Sequence, residues 1–274
     1  MNYRHAFHAG NFADVVKHLT LISILEYLKK KDAPFAVIDT HAGRGLYDLA
    51  GGEATRSGEA ANGIERLRDL LDVPATLQIY LDLVRQSGDN RYPGSPLIAA
   101  KLLRLQDRLI AIEKHPEDAA ALEATLAPFR KARVIEADGY VRLTALLPPP
   151  ERRGLILIDP PYEAPDEFSR AAQAVAGIMQ RFATGIVLVW FPIKSQAAAN
   201  AFCGEVLAAG VRKLLRIDIE AGAVAERMAA AGLLVVNPPF GFEADMRTTL
   251  DAVVPRLGRT GPAKVHLTWL AGTE

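Results

Sequence analysis

Residues 154–192, GLILIDPPYEAPDEFSRAAQAVAGIMQRFATGIVLVWFP, decide the fold. The stretch opens with the apolar run Leu155 to Ile158, closed by Asp159 and two prolines. A helical pattern follows in PDEFSRAAQAVAGIMQRF, and GIVLVWFP is again a short apolar run stopped by proline. Strand, helix and strand in that order make a parallel βαβ unit. The same pattern appears upstream. PFAVIDT (34–40), RLIAIEKH (108–115) and ARVIEADG (132–139) each end in an acid or a turn, with the helical PEDAAALEATLAPFR between the last two. An α/β fold with a parallel, doubly wound sheet is expected. The last third adds three strand candidates, VRKLLRIDIE, GLLVVNPPF and KVHLTWLAG.

Doubly wound sheets bind ligands beyond the carboxyl ends of their strands. Asp39, Glu113, Asp138 and Asp159 stand at those ends. One such acid is an ordinary loop residue, whereas four in series point to a site. One interval is too long. A βαβ unit takes about 30 residues, yet the first strand ends near Thr40 and the next starts near Leu109. GSPLIAAKLLRLQ supplies the crossover helix, with Ser95 as its N-cap and Pro96 at its first position. The surplus runs from Tyr47 to Tyr92, with helical spacing in GIERLRDLL and ATLQIYLDLVRQ. The expected organisation is a main domain of residues 1–46 and 93–274 with a helical insertion subdomain, 47–92, on the ligand-facing rim.

Composition narrows the classes. Lys and Arg total 32 against 32 Asp and Glu, so net charge gives no support to a general nucleic-acid binder, though a local basic face stays open. Cys203 is the only cysteine, which excludes an internal disulfide and a cysteine-based zinc cluster and suits a reducing cytosol. The start, MNYRHAFHAGNF, has no apolar core of a signal peptide, and GIVLVWFPI is too short to span a bilayer. A soluble cytoplasmic protein without a membrane anchor is expected.

DTHAGRG places Gly43 and Gly45 after the first strand but lacks the third glycine of the dinucleotide fingerprint. Alone it is a tight turn as readily as a ligand loop. Glu113 stands where an acid takes a ribose diol, and Asp138-Gly139 where one reads an adenine edge. Together they suit an adenosyl ligand without phosphates. DPPY is the strongest signal. A base amino group is a poor nucleophile because its lone pair is delocalised into the ring. The Asp159 carboxylate and the Pro160 carbonyl could accept its two N–H bonds, and Tyr162 could offer a face to an extruded base. The near-copy LLVVNPPF (233–240) has no cofactor segment before it. It is read as a buried strand with a rigid exit, bordering the site without running it.

The N-terminal YRHAFHAGNFADVVKH holds His5, His8 and His18, with His41 following. No acid or cysteine set accompanies them, so no metal site is expected. Tyr3, His5 and Lys17 form part of a basic, aromatic arm suited to RNA, with Lys17 meeting phosphates. The plainer alternative, a capped first helix with a lysine-rich end, is compatible with it.

YRHAFHAGNFADVVKH, DTHAGRG, YPGSPLIA, EKHP, ADGY, RRGLILIDPPY and RFATG occur in that order. In these segments the chain resembles, along almost its whole length, the bacterial 23S ribosomal RNA adenine-N6 methyltransferases of family J. The resemblance implies a Rossmann-like class I S-adenosylmethionine-dependent methyltransferase domain with a helical insertion subdomain. It implies cofactor contacts by His18, His41, Ser95, Glu113, Asp138, Gly139 and Asp159, RNA contact by Tyr3, and Asp159 as catalytic acceptor. The roles of His18, His41 and Ser95 come from the resemblance alone. The expected partner is 23S rRNA, free or early in assembly, met by a monomer without metal. The rivals are a DNA adenine-N6 methyltransferase, a non-catalytic RNA-binding Rossmann module and, least supported by the glycine pattern, a dehydrogenase.

Overall fold

The computed structural model describes residues 8–52, 58–222 and 228–273. The acid-tipped runs form β1 (Ala36–Asp39), β4 (Arg108–Glu113), β5 (Ala132–Glu136) and β6 (Gly154–Ile158), and GIVLVWFP forms β7 (Ile186–Pro192). All five are parallel, in the order β7-β6-β1-β4-β5. The chain moves outward from β1 to β5 and then returns to β6 on the other side. β1 and β6 therefore flank the switch point, where the connections diverge and leave a crevice.

Both faces of β1, β4, β6 and β7 are covered, which is why these strands are mostly apolar, whereas the edge strand β5 is half-exposed. Successive side chains of a strand point to opposite faces. Leu155 and Leu157 accordingly join one buried cluster, and Ile156 and Ile158 the other. One cluster holds α1 (Phe12–Lys29), α2 (Ala75–Arg85), α3 (Ser95–Leu102) and α8 (Phe242–Leu257). The other holds α6 (Glu167–Arg181) and α7 (Gln196–Ala208). Two further helices follow strands on the β4–β5 side, α4 (Pro116–Leu126) and α5 (Gly139–Leu143).

α1 is capped by Asn11, whose side chain accepts the N–H groups of Ala13 and Asp14, both at 2.9 Å. Its other end is held by two guanidinium groups on the Phe35 ring. Arg104 donates to the carbonyls of Lys29 and Lys31, and Arg153 to those of Leu28 and Ala33. The Leu28 and Lys29 carbonyls are acceptors that a helix end leaves unsatisfied, and the Lys31 and Ala33 bonds hold the chain that follows.

The last three strands depart from an all-parallel sheet. β8 (Leu214–Glu220), β9 (Ala230–Val236) and β10 (Lys264–Ala271) extend it in the order β10-β8-β9-β7. β9 is antiparallel to both β7 and β8. Val236 lies opposite Val187 at the start of β7, so NPPF leaves the sheet at the edge remote from DPPY. The expectation that it borders the site is corrected. Asn237 instead donates to the carbonyls of Ala183 and Gly185, each at 2.9 Å, and ties down the turn into β7.

Within 47–92, β2 (Leu46–Asp48) and β3 (Arg91–Pro93) form a short antiparallel ladder with Tyr47 opposite Tyr92, so the chain leaves and returns at one place. ATLQIYLDLVRQ forms α2, whereas GIERLRDLL yields only a 3-10 turn, Ile64–Leu67. Ser95 is the first residue of α3, with Gly94 as the cap. Its hydroxyl does not cap the helix, because it donates to Asp39 at 2.6 Å.

Candidate active site

The carboxyl ends of β1, β4, β5 and β6 surround a solvent-open cleft. Its floor is the Gly43 turn. Gly43 has φ +61°, and a Cβ there would stand 2.1 Å from the Tyr47 hydroxyl, so only glycine fits. Its N–H donates to one Glu113 oxygen at 2.8 Å, and the His115 N–H donates to the other at 2.8 Å. Each carboxylate oxygen keeps a lone-pair direction for a diol.

Asp138 caps α5, accepting the N–H groups of Tyr140 and Val141 on one oxygen. Its other oxygen faces Lys114 at 3.1 Å and Arg170 at 3.2 Å. Partial burial would raise its pKa, but the Lys114 contact and the cap N–H hold it below the usual carboxylate range. A Cβ on Gly139 would stand 2.0 Å from the Thr40 carbonyl, so glycine lets α5 start hard against the end of β1.

At the other end of the cleft, Asp39 is buried and accepts from Ser95 and from the His41 N–H. Burial pushes its pKa up to about 6, opposed by the Ser95 bond and reinforced by the nearby Asp159 charge. The His41 ring meets the Tyr140 ring edge-on at 5.0 Å, and burial lowers its pKa to about 4, leaving it neutral at pH 7. His18 is fully buried in α1, stacked on Tyr92 and bonded through Nδ1 to the Tyr92 hydroxyl at 2.8 Å. All seven residues expected to meet the cofactor, His18, His41, Ser95, Glu113, Asp138, Gly139 and Asp159, line this one cleft.

Carboxylates outnumber Lys and Arg along the lining. That balance opposes a pyrophosphate and favours a ligand carrying positive charge. An adenosyl sulfonium compound fits it: a diol acceptor lies at Glu113, and the Asp159 carboxylate, shared with Lys17, belongs to the same lining.

A second cavity, of about 1420 Å³, lies across Asp159. Lys17, Asp159 and Pro161 line both spaces, so the DPPY turn is their common wall. Pro160 is buried behind it. Tyr162 faces the second cavity from a left-handed turn, φ +51°. It is less open than a stacking platform was expected to be. Its hydroxyl donates to the Trp190 carbonyl at 2.8 Å, and its ring is wedged against Phe168 and Trp190. Burial holds that phenol well above its ordinary pKa, hence protonated.

Lys17, expected on a phosphate track, is instead 3 % exposed. Its ammonium lies 2.8 Å from Asp14 and 2.5 Å from Asp159. Burial alone would lower its pKa; the two carboxylates more than offset this and keep it charged. A buried ammonium needs such partners, which is why it turns inward. Tyr3 and His5 lie outside the described residues. Among the described residues no group of three or more His, Cys, Asp or Glu could hold a metal ion, and no helix is long and apolar enough to cross a membrane.

The sequence reading missed Asp14, Glu59 and Trp190. Asp14 stands three residues before Lys17 on α1, spacing that marks an ion pair but not its purpose. Glu59 accepts from His8 and Asn11 and so binds the start of α1 to the 47–92 segment. Trp190 lines the second cavity and offers no local signal beyond its strand.

Known proteins match this chain along nearly its whole length. The family described as ribosomal RNA large subunit methyltransferase D, RlmJ, matches residues 32–271. The ribosomal RNA large subunit methyltransferase J of Escherichia coli K12 is 42% identical, over 98% of this chain and 99% of that protein. The protein of the same name from Haemophilus influenzae Rd is 37% identical, over 98% and 99%. The crystal structure of protein LPL1258 from Legionella pneumophila superposes with a TM-score of 0.88 at 35% identity, covering 95% of this chain and 98% of that one.

Proposed function

The chain belongs to the ribosomal RNA large subunit methyltransferase D (RlmJ) family, and from that premise we propose that it methylates N6 of one adenine in 23S ribosomal RNA, with S-adenosylmethionine as donor. The observation that carries this reading is the shared wall. A cleft suited to an adenosyl cation and a second cavity meet at Asp159 and Pro161. When bound, the donor supplies a methyl group already activated by its sulfonium.

The chain's own contribution is alignment, which can supply a large part of a barrier when the reacting atoms are held in line. Glu113 would hold the ribose, the Asp138-Gly139 turn the adenine edge, and His18, His41 and Ser95 the amino-acid end. Asp159 would accept an N–H of the target amine, with the Pro160 carbonyl as the second acceptor. Both draw the nitrogen lone pair out of the ring. Tyr162 would support the base from its wedged position. Lys17 is assigned to Asp159 rather than to phosphates, while Tyr3 and His5 would meet the RNA. Residues 47–92 would act as an inserted subdomain that fixes the start of α1 through Glu59. The substrate would be 23S rRNA free or early in assembly, met in the cytoplasm by a monomer.

Labelling deproteinised rRNA and duplex DNA side by side with radioactive methyl donor tests the proposal. Label in large-subunit RNA is expected. Label in DNA alone would overturn it, and absence of donor binding in calorimetry would favour a non-catalytic RNA-binding module.

A further inference from the structure

Resting on that reading of the site, we propose that Asp14 is a positioning residue that receives the Lys17 ammonium and so clears the Asp159 carboxylate for the target amine.

In this structure Lys17 is bonded to Oδ2 of Asp159, a residue that lines both cavities. The incoming amino group needs this carboxylate as an acceptor, and the ammonium is a stronger, charged competitor for it. The ammonium cannot simply withdraw. A buried cation without a counter-ion is several kcal/mol unfavourable, and Lys17 is only 3 % exposed. It needs a second anion within a small swing.

Asp14 is that anion. It lies one helical turn back, already 2.8 Å from the same ammonium through Oδ1. Its Oδ2 accepts the Gly10 N–H at 2.9 Å, which fixes its rotamer independently of Lys17. Gly10 is anchored in turn, since its carbonyl accepts the Ile64 N–H at 2.9 Å. Asp39 is the other nearby acid, but it already holds the Ser95 hydroxyl and the His41 N–H and forms no ion pair with Lys17 among the described residues. The ammonium therefore has one anion to stay with when it leaves Asp159, and it gives up one counter-ion of two instead of being left with none.

Asp14→Asn separates this role from support of the fold. The amide oxygen still accepts the Gly10 N–H, and only the charge that draws Lys17 is lost. The expected result is a fall in kcat of about tenfold or more, equivalent to losing one favourable ion-pair position. KM for rRNA, donor Kd by calorimetry and Tm should stay close to those of the unchanged protein. Asp14→Glu retains the charge and is expected to recover most of kcat. Unchanged kcat in Asp14→Asn would overturn the proposal. So would a joint loss of donor binding and Tm, which marks a structural role, or a Glu variant as slow as the Asn variant. In single turnover, Asp14→Asn added to Lys17→Met is expected to cause no further slowing; an additive loss would also overturn it. Failure of the functional reading looks different: the unchanged protein itself would not methylate RNA.

Discussion

Asn237→Ala tests whether NPPF is a structural staple. The substitution removes two hydrogen bonds, to the Ala183 and Gly185 carbonyls, from a residue with φ +51°. Each bond contributes about 0.5–1.5 kcal/mol, and water can partly replace the exposed one. Alanine in the left-handed region adds about 1 kcal/mol, since asparagine tolerates it better. The sum is about 2–3 kcal/mol. At roughly 2–4 °C per kcal/mol for a chain near this size, Tm should fall by about 5–10 °C. Activity below the transition should be untouched. By register Asn237 falls level with Ile186 at the start of β7 and Asp159 level with Trp190 near its end, about four residues or roughly 13 Å along the strand direction. Thermal and urea unfolding with kcat on rRNA measure both quantities. An unchanged Tm with kcat lowered tenfold or more would refute the argument and move the catalytic role towards NPPF.

Other variants probe the cleft and its supports. Gly43→Ala should abolish donor binding in calorimetry while leaving the chain folded, because its Cβ would enter the Tyr47 hydroxyl. Arg153→Ala should lower stability by about 1–3 kcal/mol with kcat unchanged, since it holds two carbonyls at the end of α1, far from the cleft. Asp39 and His41 should give opposite pH slopes of stability. The raised Asp39 pKa, about 6 against an ordinary 3.8, means that the folded state binds more protons in between, so this contribution is lost as pH rises through that range. The lowered His41 pKa, about 4 against 6.5, makes the unfolded state bind more, so its contribution is lost as pH falls from 6.5 towards 4. Asp39→Asn should therefore steepen the rise of stability between about pH 4 and 6, and His41→Gln should flatten or reverse it. Urea midpoints across that range decide; slopes of the same sign would contradict both assignments.

Much of the fold was legible because local pattern and tertiary position coincide in a parallel sheet. Runs such as Leu155 to Ile158 are apolar throughout because both faces are buried, and their terminal acids mark the ligand edge. The excess between Thr40 and Leu109 set residues 47–92 apart, and Tyr47 and Tyr92 pair where that segment leaves and returns. β9 was not legible in its direction. A buried strand reads the same either way, so LLVVNPPF could not announce that it exits at the far edge. Ser95 looked like a cap because serine before proline usually is one, but the Asp39 carboxylate 56 residues away competes for its hydroxyl. Lys17 misled for the same reason. Its partner Asp159 is 142 residues distant, and only folding puts a buried anion beside it.

The central claim is that Asp159 presents one rRNA adenine for methylation at N6. Mass-spectrometric mapping of 23S rRNA from cells lacking the protein, treated with the unchanged chain or with Asp159→Ala, tests it most directly. The account predicts one new N6-methyladenosine with the unchanged chain and none with the variant. A methyl group elsewhere than on an adenine N6, or undiminished modification by Asp159→Ala, would contradict it.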